Sequence, residues 1–323
     1  MRRRAPLPAR ALLGRASWVQ RCPEHKELHM PEKVSISREF VRGAARMADL
    51  VYVISQMKTL IEQDIAHVSL VGLYKGNWGD AFNTIWNATA VAVAKSPAEK
   101  VVLVGEDGDV STYVGGRRED ETIEPRPVMI RHAREIGGEV FVCGSKRQVF
   151  RRVGEAQWVD MSAPRAGQTE ALGFEAMDGY GWNEIYAAGW GGEIWRYDGA
   201  TWTQCSSPTN VILSAVCCAG DGQVYVAGQG GVLVKGRGDA WAPVAWEDEV
   251  DADLWDLCWF RDKLYVATMS GLYTLDANRL VPVDFGAMGP VSCYNLSVAQ
   301  GVMWSVGKAD VASFDGTTWR KYD

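Results

Sequence analysis

The chain has 323 residues, 47% of them hydrophobic and 23% charged, enough to bury one large core or two ordinary ones. Its net charge of −6 is uneven: residues 1–29 hold seven Lys/Arg against two Glu, leaving a net −11 on residues 30–323. An acidic body excludes a nucleic-acid footprint, which needs a basic face, and no apolar run of about 18 residues is present to insert into a membrane.

In chain order, residues 1–30 come first, the first 23 of them Arg-rich and without an acid. The apolar stretch Ala11, Leu12, Leu13 is broken by Arg10, Gly14 and Arg15, so it does not read as an export signal. This segment is expected to be a disordered or non-native tail, an organelle transit peptide being the alternative, with the folded body over 31–323. Val34–Ser37 is a candidate extra strand. Arg38–Met47 is the one stretch approaching helical spacing.

From there a strand-turn-strand unit recurs. Its weakest copy is Val51–Ser55 followed by Thr59–Ile61; its clearest is Ile185–Gly189, Trp190-Gly-Gly-Glu193, Ile194–Tyr197, Asp198-Gly199 and Trp202. The residues ending each first strand are 55, 105, 144, 189, 228, 268 and 307, at intervals of 50, 39, 45, 39, 40 and 39. Trp158, Trp202, Trp241, Leu280 and Trp319 follow their markers by 12 to 14 residues, marking an outer strand, and most markers are preceded by another apolar run. A period near 40 with four strands per unit predicts an all-β fold, a seven-bladed β-propeller with four antiparallel strands per blade. Six blades plus an irregular first element is the fallback.

Arg196-Tyr-Asp-Gly-Ala-Thr-Trp202 and Ser313-Phe-Asp-Gly-Thr-Thr-Trp319 carry an aromatic-Asp-Gly-x-x-Trp pattern. The pattern resembles that of bacterial propeller repeat proteins of the photosystem-assembly-factor and sensor-regulator kinds, and more distantly the sialidase Asp-box. In such turns Asp accepts backbone hydrogen bonds and Gly takes the left-handed position, so the resemblance implies a fold and no activity.

Catalytic chemistry finds little footing. Of four histidines, His25 and His29 lie in the tail, and neither His67 nor His132 has ligand-spaced neighbours. No nucleophile elbow or P-loop occurs, Glu106-Asp107-Gly108-Asp109 lacks a calcium-loop ligand set, and no carboxylate pair stands out. No catalytic residue, metal or cofactor is therefore assigned, and enzymatic activity is not expected. Cys143, Cys217, Cys218, Cys258 and Cys293 lie in apolar strands and read as buried thiols.

Binding candidates come from departures in the spacing. The stretch 73–86, with Tyr74, Trp78 and Trp86, is read as an inserted loop that lengthens the first interval. The stretch 246–255 sets Glu247, Asp248, Glu249, Asp251 and Asp253 between Trp246 and Trp255, and Trp190 tops a hairpin turn. Aromatics anchor interfaces and acids steer basic partners. The expectation is a cytoplasmic bacterial scaffold binding a basic protein, one version being an immunity protein that neutralises a toxin such as a basic nuclease. A carbohydrate-binding or hydrolysing propeller and an assembly factor of a membrane complex are the alternatives.

Overall fold

A computed structural model describes residues 33–164, 172–244, 250–289 and 291–323. Seven four-stranded antiparallel sheets follow one another along the chain, at 38–84, 88–122, 130–160, 174–205, 213–243, 256–282 and 295–321, forming blades 1 to 7 of a β-propeller. In each blade the first strand lies nearest the axis and the fourth outermost. The second strands are apolar on both faces (Val101–Val104 and Ile185–Ala188 are fully buried), because each sheet is covered by a neighbouring blade on either side.

The recurring glycine that ends the second strand has a steric reason. In blades 1 to 5 the inner strand bulges opposite this point, at Val41, Thr89, Arg131, Glu175 and Ser214. At Gly189 and Gly228 a Cβ would collide with the carbonyl oxygens of Gly173 and Ile212, which enter the bulged strands. The turn glycines that follow, Gly191 and Gly230, do adopt positive φ, at 67° and 61°.

The outer-strand residues Trp158, Trp202, Trp241, Leu280 and Trp319 all occupy fourth strands as expected, and the tryptophans pack inward. Trp202 contacts Phe174 and Tyr197, Trp241 meets Tyr186 edge-on, and Trp319 stacks on Phe314 at 4.7 Å between centroids.

Blade 1 departs from the expectation. Arg38–Met47 is its inner strand, not a helix; its mixed polar pattern arises because an inner strand faces the axial channel on one side. Val34–Ile36 is a single 3-10 turn, and Thr59–Ile61 belongs to a short helix, Lys58–Ile61. The true third strand is Val68–Tyr74 and the fourth is Asn77–Thr84, so the ten extra residues sit at 58–67, between the second and third strands. Trp78 is therefore the outer-strand tryptophan of this blade, paired with Leu73 and stacked on Phe40 at 5.5 Å.

The ring closes between blades 7 and 1 through polar bonds that bridge distant sequence. Asn295 Oδ1 accepts from Gly43 N at 2.7 Å, Ser297 Oγ from Ala45 N at 3.0 Å, and Asp323 Oδ2 from Val34 N at 2.6 Å. Similar links run elsewhere round the axis: Asp178 takes the Cys218 amide at 2.9 Å, and Asp256 the Leu296 amide at 2.8 Å. Buried ion pairs tie blade 3 to both neighbours, through Arg152 to Glu121 of blade 2 and Arg147 to Glu193 of blade 4. The six described cysteines are all free, five of them buried.

Candidate protein-docking surface

The propeller has two ends. One, the loop end, gathers the connections between blades together with the turns joining second to third strands; the other, the turn end, carries the remaining hairpins.

Large apolar side chains are exposed round the loop end: Ile61 and Ile65 on the inserted segment, Ile85, Val128 and Met129 between blades, Trp190, Trp255 and Met269. Ile85 is 90% exposed and Met269 55%, values that nothing in the folding of this chain requires. These side chains are spread over blades 1 to 6, and they make the loop end a candidate interface, although Tyr74, Tyr180 and Trp182 are exposed at the turn end. Exposed acids are interspersed: Glu62, Asp64, Asp107, Glu124, Asp251 and Asp253, against Lys146, Lys308 and Arg126. Arg126 is already paired with Asp109 at 2.9 Å, so the balance of this end is acidic.

The inserted segment is a built feature. His67 Nε2 accepts the Met57 amide at 2.8 Å while Nδ1 donates to Ile65 O at 2.7 Å, which sets its tautomer and holds the ends of the insertion together. The insertion thereby presents outward Ile61, at the end of the short helix, and Ile65, beyond it. The turn of blade 3 at this end is fixed by Arg147, whose Nε reaches Glu193 Oε2 at 2.7 Å and whose guanidinium lies over Trp195.

The residues singled out from sequence divide. Trp190 is 40% exposed on the loop end, its Nε1 donating to Glu175 Oε1 at 2.5 Å. Asp251 and Asp253 join it there, although Asp253 also has a structural task, accepting the Gly230 amide at 2.9 Å. Trp86 reaches this end but is half-buried against Gly105 and the core between blades 1 and 2. Tyr74 and Trp78 do not join them: Tyr74 tops a hairpin at the turn end, and Trp78 is packing for the seam with blade 7. Trp246, Glu247, Asp248 and Glu249 lie outside the described residues. The sequence reading missed Ile61, Ile65, Ile85, Val128, Met129 and Met269. The 50-residue interval did signal an insertion, but placed it one hairpin too late.

The carboxylates near the axis are committed to structure. Arg134 grips Asp178 through two bonds of 2.9 and 3.1 Å, and Asp178 in turn holds its guanidinium pKa well above the ordinary value. Burial raises the Asp256 pKa, against the Leu296 amide, which favours its charged form. Burial is also the main reason His132 is held well below the usual imidazole value, with Arg42 and Arg134 adding to it. Among the described residues no group of three His, Cys, Asp or Glu side chains could hold a metal ion, and no helix is long and apolar enough to cross a membrane.

The immune protein Tsi7 of Pseudomonas aeruginosa is 40% identical over 307 residues, which is 91% of this chain and 100% of that protein. The chain belongs to the Tsi7 family. No protein-family model matches the sequence of this Tsi7-family member. Its structural neighbours share fold only. YCF48, solved bound to a D1 peptide, superposes with a TM-score of 0.63 at 12% identity, covering 84% of this chain and 90% of that one. The WD40 propeller domain of Doa1 gives 0.62 at 11%, covering 88% and 92%. The extracellular domain of a one component system from B. thetaiotaomicron gives 0.62 at 13%, over 85% of this chain; the chain spans only 38% of that longer protein.

Proposed function

We propose that this protein is a non-enzymatic immunity protein, a propeller scaffold that neutralises a toxin by binding it across the loop end. Membership of the Tsi7 family carries the reading, and the exposed apolar side chains favour the loop end as its site. These side chains supply anchors that lose water on association, and the acids among them favour a basic partner and speed its capture. Binding in the bacterial cytoplasm, where an incoming toxin would act, fits free thiols throughout the described core.

The test is co-expression with candidate toxins taken from the genes that flank its own. Wild-type protein is expected to restore growth and to form a stoichiometric complex with the purified toxin. A variant carrying Ile85→Asp, Trp190→Asp and Met269→Asp is expected to lose both while keeping its melting temperature. Full protection by that folded variant would overturn the placement at the loop end, and failure of the wild type to bind would overturn the function.

A further inference from the structure

The axial mouth on the loop end holds polar groups that the fold does not use. Arg42 of blade 1 and Arg134 of blade 3 both act electrostatically on His132 and on Asp256 of blade 6. Blades 1, 3 and 6 are not neighbours, so these side chains meet only across the axis. Arg134 is spent on Asp178, and Asp256 accepts the Leu296 amide and the Asn295 side chain. Arg42, half-buried, makes no hydrogen bond or ion pair with any described residue.

One strand level nearer the mouth, the bulges of blades 2 and 3 present Thr89 and Arg131. Bulges re-aim side chains, and they gather next to binding sites. Thr89 Oγ1, Arg131 Nε and His132 Nδ1 are buried atoms without a protein hydrogen-bond partner, and they sit on adjacent inner strands. Glu175 approaches Arg131 Nε only to 3.7 Å, its Oε1 being taken by Trp190. Buried polar atoms are ordinarily satisfied, so three unpartnered ones on neighbouring inner strands, with Arg42 facing His132 across the axis, point to a ligand that completes them.

We propose that the axial mouth is a carboxylate-binding site, with Arg42 and Arg131 supplying charge and Thr89 and His132 hydrogen bonds. A guanidinium fork matches a planar carboxylate. Asp256 and Glu175 already balance the charges of Arg42 and Arg131, so the mouth opposes a phosphate dianion far more than a single carboxylate, which the guanidinium and hydrogen-bond donors can hold by geometry. The carboxylate is either that of a free small molecule or an acidic side chain or chain end inserted by the docked toxin; only the second source rests on the function proposed above.

Two arms separate these. In the first, the full chain alone is titrated calorimetrically with sodium acetate and sodium propionate, against acetamide and sodium chloride at matched ionic strength. Saturable binding of the carboxylates, weakened at least about tenfold by Arg42→Gln, Arg131→Gln and Thr89→Val, establishes the site for a free carboxylate. In the second, the same variants are measured against the toxin: a loss of about tenfold or more in affinity with an unchanged circular dichroism spectrum assigns the carboxylate to the partner. If neither arm responds in folded variants, the mouth holds ordered water only and the proposal is overturned. If wild-type protein fails to bind toxin, the functional reading falls while the first arm still decides the site.

Discussion

The two ends of the propeller are made from different kinds of sequence. At the turn end, the two aromatic-Asp-Gly turns are nearly superimposable in their bonding. Asp198 Oδ1 accepts the amides of Ala200 and Thr201 at 2.9 and 2.8 Å, and Asp315 Oδ1 those of Thr317 and Thr318 at 2.9 and 2.8 Å. Gly199 and Gly316 sit at φ of 98° and 99°. The loop end is more varied: the glycine turns of blades 4 and 5 repeat there, but beside them lie a helical insertion in blade 1, an Arg–Glu clamp between blades 3 and 4, and exposed Ile, Met and Trp side chains with no shared spacing. Repeated turns build the ring at both ends, and recognition is sought where the repeat breaks down.

The largest expected effect comes from the buried ion pair between blades 3 and 4 at the loop end. Arg147→Ala leaves Glu193 buried without its counter-ion and should destabilise the protein by about 3–5 kcal/mol in urea unfolding. A loss under about 1 kcal/mol would mean that the clamp shapes the loop end without supporting the ring.

Next comes the contrast between the ends. Trp190→Ala or Ile85→Asp should weaken toxin binding by about 2 kcal/mol, roughly thirtyfold, at constant melting temperature. Trp182→Ala, which removes an exposed tryptophan from the turn end, should leave affinity unchanged. Equal losses at both ends, measured by calorimetry, would erase the distinction.

A loss of about 1–3 kcal/mol is expected for Asp323→Ala, which leaves the Val34 amide unpaired at the seam. Hydrogen exchange should then rise first in blades 1 and 7; uniform loosening would mean that the seam is not a distinct weak point.

The smallest effect is local to the turn end. The hydroxyl and amide of Thr317, with the amide of Thr318, hold the Asp315 pKa at about 2, below its ordinary 3.8. A depressed carboxylate stabilises the fold above its unfolded pKa, so this contribution is present above about pH 4 and fades as the pH falls towards 2. The stability difference between wild type and Asp315→Asn should shrink over that window. A difference that stays constant from pH 5 to 2 would show that the charge contributes nothing to the turn.

Much of this architecture is legible along the chain because blade building is local. Strand alternation, turn glycines and the outer tryptophan all act within about 40 residues, so their spacing gives blade number and strand order directly. Blade 1 blurred because its third-strand position was filled by Lys58–Ile61, and its outer tryptophan lies 23 residues after the marker instead of 12 to 14. Trp78 consequently resembled a loop anchor when it is a packing residue on Phe40.

The sequence by itself determined the period, the fold class and the acidic body, all properties of composition and near-neighbour spacing. Only the tertiary structure decided which exposed side chains share one end and which polar groups face one another across the axis. The contacts that matter there join residues far apart in the chain, such as Asn295 with Gly43 and Arg134 with Asp178. Short-range pattern carries no record of such pairs, because they exist only once the seven sheets have closed into a ring.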